Sequence, residues 1–360
     1  MAFDPIQEDC MRLVLSAMRR EHAPLADTAF IQRTANAFRA DPASLIRTDA
    51  DRSFHLVAKA TELIDFRSLW VSDDAEADHI AEQAENYLTE AAELDPGNWD
   101  AVRMLAAMDA PTNDAYVSYL LDNLDAVERD AAAIRERTGD PYDAEFAQHL
   151  GQHPYLRWLA AIASRALIAG RYRLSLEYAE KSLGIAPQDP AGVRHTAMLA
   201  LAKLEADPAE LKDFRTRHAT AYQQATPQRR RRHADARDAH ATDAWSLIAE
   251  MNVAYRTLDF TGATRALRAI IRIYPHAAEA LFTQAEFPDG VFGRVSTEPG
   301  SADELILALS EATPLLQEGA GAPDDASFSQ WVAEHELVQN GLDGRAELQR
   351  TRQANRGGEN

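Results

Sequence analysis

Three side chains near the middle of the chain have the spacing of a metal site on a helix. Glu145, His149 and His153 stand at i, i+4 and i+8, which on one continuous helix places a carboxylate and two imidazoles on the same face. Such a set can bind zinc. However, Gly151 interrupts the pattern, Pro154 follows it, and the metalloprotease order His-Glu-x-x-His is missing. A metal-dependent, hydrolase-like enzyme therefore stays an alternative function, and the pattern favours a polar helix end.

A second polar cluster lies in the stretch "RRRRHADARDAHATDAW". It begins with the basic run Arg229–Arg232 and continues with residue types that bind metals, namely His233, Asp235, Asp238, His240 and Asp243. Its low apolar content indicates a flexible connector or the polar start of a helix. The arginines can contact phosphates, but no aromatic residues are interleaved with them as in typical nucleic-acid surfaces. Nucleic-acid association through this run is a further alternative.

The chain lacks the patterns that mark nucleophilic or nucleotide chemistry. It has no Gly-x-Ser-x-Gly elbow, Walker loop or dinucleotide fingerprint. Its one cysteine, Cys10, excludes internal disulfides and cysteine-rich zinc sites and favours a cytoplasmic location. We predict a protein with no catalytic, cofactor-binding or metal-binding residues.

Composition and charge narrow the class further. The 360 residues are 46% hydrophobic and 26% charged, as in ordinary soluble proteins. The opening "MAFDPIQEDC" has no basic leader, and no stretch approaches the roughly 18 apolar residues of a membrane span. We therefore expect a soluble protein with no membrane contact. A net charge of −20 opposes binding to phosphate backbones.

The negative charge is concentrated in one region. Between Arg67 and Arg129 the only Lys or Arg is Arg103, against fifteen Asp and Glu. This acidic region favours a basic partner or an internal contact with the later basic run, although a charged stretch can also be a solvated helix face. As partner-binding residues here we predict Asp73, Asp74 and Glu76.

Apolar residues recur at helical spacing along nearly the whole chain, and no alternating run of β-branched residues interrupts them. The sequence therefore predicts an all-α protein. Asp27, Asp189 and Asp207 precede apolar-periodic segments and are expected as N-caps, since a short carboxylate accepts from free amides of the first turn.

Three helical segments share an internal pattern when they are aligned on the proline that follows each, Pro96, Pro187 or Pro275. Twelve positions before the proline stands a small residue. Eight positions before the proline stands an apolar residue that is expected to pack against the neighbouring helix. The small residues are Ala84, Ser175 and Ala263, and the second set is Leu88, Ala179 and Leu267. A small residue at a fixed helical position lets a neighbouring helix approach closely.

This pattern resembles the second helix of the tetratricopeptide repeat. The best match comprises Gly170, Tyr172, Ser175, Ser182 and Pro187, with "LRWLAAIASRALIA" as the first helix of that repeat. In the other two copies the Gly position holds His79 and Leu258. The prolines are 91 and 88 positions apart (187 − 96 and 275 − 187), where an uninterrupted array has a period of about 34. The resemblance implies an α-α superhelix, a solenoid of helical hairpins with irregular repeats.

A longer resemblance covers about residues 50–340. The segments "AAELDPGNWDA", "HPYLRWLA", "GRYRLSLEYAEKSLGIAPQDPAGVR", "AWSLIAEMNVAYRTLDFTGATRALRAIIRIYPHAAEAL" and "PGSADELI" occur in an order similar to that of bacterial tetratricopeptide proteins related to the suppressor-of-tumorigenicity-7-like proteins. Members of this kind usually carry a large residue at Ala179, Asn at Ala186, and Asn-Pro-His at residues 274–276. The resemblance implies an interaction scaffold and brings no known activity.

Three residues near the starts of predicted inner helices are candidate contacts for a partner. Tyr155, Arg157 and Arg194 offer aromatic area and forked donors that suit a peptide or a carboxylate. The alternative is that Arg194 pairs with a neighbouring repeat and Tyr155 packs between hairpins.

The sequence thus predicts a cytoplasmic, non-catalytic adaptor that binds a protein or peptide, preferably a basic one, on a concave helical surface. We expect five regions: an N-terminal helical cap (1–50), a repeat array (51–223), a basic connector (224–240), a C-terminal helical segment (241–343) and a polar tail (344–360).

Overall fold

The computed structural model describes residues 4–68, 71, 73–137, 139–223, 243–286, 297–316 and 327–342. All regular structure within these ranges is helical, and none of these residues lies in a strand. The all-α prediction is therefore confirmed. The predicted connector at 224–240 and the tail at 344–360 lie outside the described residues.

The chain forms two compact units, which meet in sequence between Ala169 and Gly170. This division, which follows packing, does not coincide with the predicted boundaries near residues 50 and 223, which followed the repeat resemblance and the composition of the chain. It also separates the two helices expected to form the best-matching repeat, since "LRWLAAIASRALIA" belongs to the first unit and the helix from Tyr172 to the second.

The first unit is built from paired helices. Helix α3 packs on α4, α5 contacts α4, α6 and α8, and α1 contacts α2, α3 and α7. A short π-helix, Glu62–Arg67, continues α3. The helices are α1 (Pro5–Glu21), α2 (Thr28–Ala40), α3 (Asp49–Thr61), α4 (Asp74–Leu94), α5 (Trp99–Asp109), α6 (Asn113–Arg135), α7 (Pro141–His149) and α8 (His153–Ile168).

The second unit is also built from packed helices. The described helices are α9 (Tyr172–Ile185), α10 (Val193–Lys203), α11 (Pro208–Arg217), α12 (Ala219–Gln223), α13 (Ala244–Arg256), α14 (Phe260–Ile273), α15 (Ala277–Glu286), α16 (Ala302–Glu311), α17 (Thr313–Leu316) and α18 (Ser327–Glu334), followed by a helical segment at 336–342. Helix α10 packs between α9 and α13, and α13 packs on α14. Helices α16 and α17 contact α13 and α10, respectively.

Two of the three predicted N-caps lie where the sequence placed them. Asp27 accepts from the amide of Phe30 at 2.9 Å, and Asp207 accepts from the amide of Glu210 at 2.9 Å. Asp189 is different, because α10 begins at Val193 and its N-cap is Gly192. The Asp189 carboxylate still reaches the first turn and accepts from the amide of Val193 at 2.8 Å.

The aligned helices α4, α9 and α14 each end two residues before their proline. Both predicted packing positions are fully buried in all three: Ala84, Ser175, Ala263, Leu88, Ala179 and Leu267 all have 0% exposure. The shared pattern therefore corresponds to a shared buried face.

The turns before two of these helices also share a conformation. Gly170 has φ of 76° and Leu258 has φ of 61°, both in the left-handed region. His79 lies inside α4 and takes no part in such a turn. The equivalence therefore extends to the preceding turn in α9 and α14 but not in α4.

The parts of the chain that the structure describes contain no helix with both the length and the apolar character needed to cross a bilayer.

Candidate functional site

Arg157, a predicted partner contact, lies in an internal ion cluster. Its Nε donates to Asp100 Oδ1 at 2.7 Å, and its Nη1 donates to Glu8 Oε2 at 2.6 Å. The Arg157 side chain is 17% exposed, and those of Glu8 and Asp100 are 4% and 2% exposed. A partner carboxylate would have to replace one of these two internal carboxylates to bind the guanidinium.

The same cluster joins three helices of the first unit, α1, α5 and α8. Glu8, in α1, also accepts from Arg12 at 3.0 Å and lies 3.2 Å from Nδ1 of His153, at the start of α8. Asp100 lies in the first turn of α5, and its Oδ1 is 3.6 Å from Nη2 of Arg103. The next residue of α1, Asp9, has its Oδ2 2.6 Å from His55 Nδ1 of α3. Helix α1 is thereby held on α3, on α5 and on α8, the helix of the predicted contacts Tyr155 and Arg157.

Electrostatics keep the two central carboxyls ionised. Burial alone would raise the pKa of Glu8, but the positive charge of Arg157, with contributions from His153 and Arg12, holds that pKa well below its usual value. Burial likewise opposes ionisation of Asp100, and Arg157 outweighs it and lowers the pKa. Neither carboxyl therefore holds a proton near neutral pH, and neither can serve as a general acid there.

Tyr155 and Arg194, the other two predicted contacts, are both buried. Tyr155 is 3% exposed and Arg194 is 5% exposed. Arg194 Nη1 donates to Asp189 Oδ2 at 2.9 Å. The guanidinium of Arg194 therefore binds the loop that precedes its own helix. This pairing lies within the second unit. Partner binding by Tyr155, Arg157 and Arg194 stays a prediction, and it would require these side chains to be uncovered.

In each unit, some inner helices are covered by other helices of the chain. In the second unit, residues 193–200 of α10 and 244–249 of α13 are all buried, with α17 on the first helix and α16 on the second. His195, in α10, stacks on Trp245 of α13 with ring centroids 3.9 Å apart. In the first unit α1 covers α3.

The acidic residues predicted as partner contacts are exposed. Asp73 is the N-cap of α4 and accepts from the amide of Glu76 at 2.9 Å, while Asp74 and Glu76 lie in the first turn with exposed side chains. The exposed acidic face continues along the helix through Asp78, Glu82, Glu85 and Glu93. Among the described residues, the one ion pair to α4 joins Arg52 and Glu90.

The three residues of the predicted metal site do not lie on one continuous helix. Helix α7 ends at His149, and His153 begins α8, so the required i, i+4, i+8 face is not formed. His149 Nε2 lies 3.5 Å from Glu145, whereas His153 turns to Glu8. No group of three or more His, Cys, Asp or Glu side chains in the described ranges is arranged to hold a metal ion.

The second polar cluster is described only at its last member. Arg229–Arg232, His233, Asp235, Asp238 and His240 lie outside the described residues. Asp243 is the N-cap of α13 and accepts from the amide of Ser246 at 2.8 Å.

Sequence reasoning missed the two carboxylates that bind Arg157. Glu8 and Arg12 are spaced as an i, i+4 pair, which hints at a local ion pair. Nothing in the sequence indicates that Glu8 meets a side chain 149 positions later or that Asp100 meets one 57 positions later.

Comparison with known proteins found no matching family model, no matching curated protein and no matching solved structure. The many paired helices are compatible with a helical repeat protein, and the tetratricopeptide resemblance stays a prediction.

Proposed function

We propose that this protein is a non-catalytic, cytoplasmic interaction scaffold whose exposed α4 face binds a basic protein partner. The observation that carries the proposal is the charge of that face. Helix α4 holds seven carboxylates and no Lys or Arg, and only Glu90 has a cationic partner among the described residues.

Like charges along one helix repel one another and destabilise it. A basic partner would replace this repulsion with attraction and would be steered to the face by its field. The ion cluster around Arg157 is paired internally, since its arginine binds both buried carboxylates, and a scaffold role requires no reactive group there.

We also infer that the helix pairs within each unit form an irregular tetratricopeptide-like array. The shared buried positions of α4, α9 and α14 support this inference. In such an array α4 is an outer helix, and binding there leaves the buried Tyr155, Arg157 and Arg194 undisturbed. Binding on the inner helices would instead require α1, or α16 and α17, to move.

The proposal is tested by crosslinking the full chain to its partners in native extract and titrating each captured partner. The test variant combines Asp73→Asn, Asp74→Lys and Glu76→Lys; Asn keeps the capping function of position 73. The control combines Glu177→Gln, Asp213→Lys and Glu21→Lys, three exposed positions with the same total charge change.

We expect a basic partner whose affinity falls at least tenfold between about 0.05 and 0.5 M salt, because exposed charges are screened. The α4 variant should lose this binding and the control should keep it. A partner whose affinity responds neither to salt nor to the α4 variant would refute the proposal.

A further inference from the structure

Helix α14 has an exposed face that is basic in an otherwise acidic molecule. Arg265, Arg268 and Arg272 are all exposed and stand at i, i+3 and i+7, which places them on one side of the helix. No acidic residue occurs between Phe260 and Ile273. Arg265 and Arg268 form no ion pair with any described residue.

Exposed apolar side chains lie at the start of the same helix. Leu258 is 73% exposed and Phe260 is 48% exposed. The Phe260 ring meets Tyr255 edge-on at a centroid distance of 5.7 Å. A basic stripe beside exposed apolar area fits an acidic surface that also offers some apolar contact.

Helix α4 carries acidic residues in the matching order. Asp78, Glu82 and Glu85 are exposed, with spacings of four and three residues. Arg272, Arg268 and Arg265, taken in the reverse chain direction, have the same spacings of four and three. At a rise of about 1.5 Å per residue, two antiparallel helices would place all three pairs in register.

The apolar residue Leu258 lies near one end of the same pairing. It precedes α14, so the antiparallel register places it toward the C-terminal end of α4. Ala92 and the neighbouring Leu94 are partly exposed. The pairing is therefore carried by the Glu82–Arg268 and Glu85–Arg265 charge pairs, with apolar area near one end.

We propose that the α14 face of one copy of this chain docks antiparallel on the α4 face of a second copy. This inference rests on the proposed function, since it identifies the basic partner of α4 as another molecule of the same protein. The two faces lie on different helices, so the contact is heterologous and each copy keeps one face of each kind for further copies.

The charge of the whole molecule sets the conditions for this contact. Two copies of net charge −20 repel one another at long range, and this repulsion is screened beyond about 10 Å at 0.1 M salt. Contacting pairs are screened less. Self-association should therefore be strongest near 0.1 M salt and weaken toward 1 M, where the screening length is about 3 Å.

A charge-swap experiment tests the contact directly. One variant carries Glu82→Lys and Glu85→Lys, and the other carries Arg265→Glu and Arg268→Glu. Circular dichroism and thermal unfolding confirm that each is folded; where a reversal unfolds the chain, Gln at the same two positions replaces it. The control carries Arg173→Glu and Lys212→Glu, which are exposed basic positions on other helices.

Sedimentation velocity over about 1–300 µM at 0.1 M salt is the measurement. Wild type and control should associate with concentration. Each swap variant alone should associate at least tenfold more weakly, because its α4 and α14 faces now have the same sign. An equimolar mixture of the two swap variants should regain association, since each face again meets its opposite.

Wild-type protein that stays monomeric across this range overturns the inference, as does association that both swap variants retain or a mixture that fails to regain it. A monomeric wild type that binds a different basic protein through α4 leaves the proposed function intact. The experiment can also reveal a different acidic protein that binds the wild type but not the Arg265→Glu, Arg268→Glu variant. That result assigns the α14 face to that protein and likewise overturns the inference.

Discussion

Arg157 binds two carboxylates that come from helices distant in the sequence. Glu8 belongs to α1 and Asp100 to α5, while Arg157 belongs to α8. A buried ion pair has a high desolvation cost, so its presence adds little net stability, but removing one partner leaves the others uncompensated. The cluster therefore matters most when it is broken.

We expect Arg157→Ala to lower the free energy of unfolding by about 3–5 kcal/mol, because it leaves Glu8 and Asp100 buried without their main cation. Urea titration followed by circular dichroism measures the change. Arg165→Ala, in the same helix but exposed, should cost less than about 0.5 kcal/mol. Adding Glu8→Gln and Asp100→Asn should recover part of the loss; full additivity of the three changes would contradict the model of a coupled cluster.

Asp65 is a partly buried carboxyl whose ionisation opposes folding. Burial raises its pKa to about 6, and nearby Arg103 only partly offsets this effect. Since the folded pKa exceeds the unfolded value of about 3.9, the folded state binds the proton more tightly. Its contribution to stability is therefore complete below about pH 4 and is lost as the pH rises through 6.

Asp65→Asn should accordingly stabilise the chain at pH 7 by about 1–3 kcal/mol and have little effect at pH 4. Chemical denaturation at the two pH values measures the difference. A stability change that is equal at both pH values would show that the substitution acts through packing and not through the charge.

At the scale of elements, the turn into α14 contains an unfavourable backbone conformation. Leu258 has φ of 61°, and for a residue with a Cβ the left-handed region costs roughly 1–2 kcal/mol. Its side chain is 73% exposed, so little packing compensates. The equivalent residue before α9 is Gly170, which adopts this conformation without strain.

We expect Leu258→Gly to stabilise the second unit by about 0.5–1 kcal/mol, the relief of strain less the added freedom of glycine in the unfolded chain. Thermal unfolding measures the gain. Leu258→Ala is the matched control, because it shortens the side chain but keeps the Cβ; an equal gain from Ala would show that the exposed side chain, and not φ, is the cause.

Some features of the helices depend on local sequence and others on tertiary packing. The N-caps Asp27 and Asp207 can be predicted from neighbouring residues, since each accepts from an amide three residues later in the chain. The packing of α16 on α13 and of α17 on α10 cannot be predicted in this way. Amphipathic helices specify that a face is buried, but many helices of similar polarity compete to bury it.

At the scale of the whole molecule, the charge of −20 is unevenly distributed. The exposed carboxylates of α4 repel one another, whereas the buried pairs around Arg157 are protected from salt. Screening therefore removes more repulsion than attraction.

We expect the melting temperature of dilute protein to rise by a few degrees as salt increases from about 0.01 to 0.2 M. Differential scanning fluorimetry measures the rise. Glu82→Gln with Glu85→Gln should reduce it, since fewer like charges remain to be screened. A melting temperature that falls with salt would mean that attractive surface pairs dominate.

The sequence alone determined the helical class, the N-caps Asp27 and Asp207, the repeated packing positions of α4, α9 and α14, and the acidic start of α4. These features depend on residues within a few turns of one another. Only the tertiary structure decided that Arg157 pairs with Glu8 and Asp100, that α1 packs on α3 while α16 and α17 pack on α13 and α10, and that the units divide after Ala169. The physical reason is that charge and apolar area specify what kind of partner a surface requires, while chain connectivity and competition among similar helices decide which partner it meets.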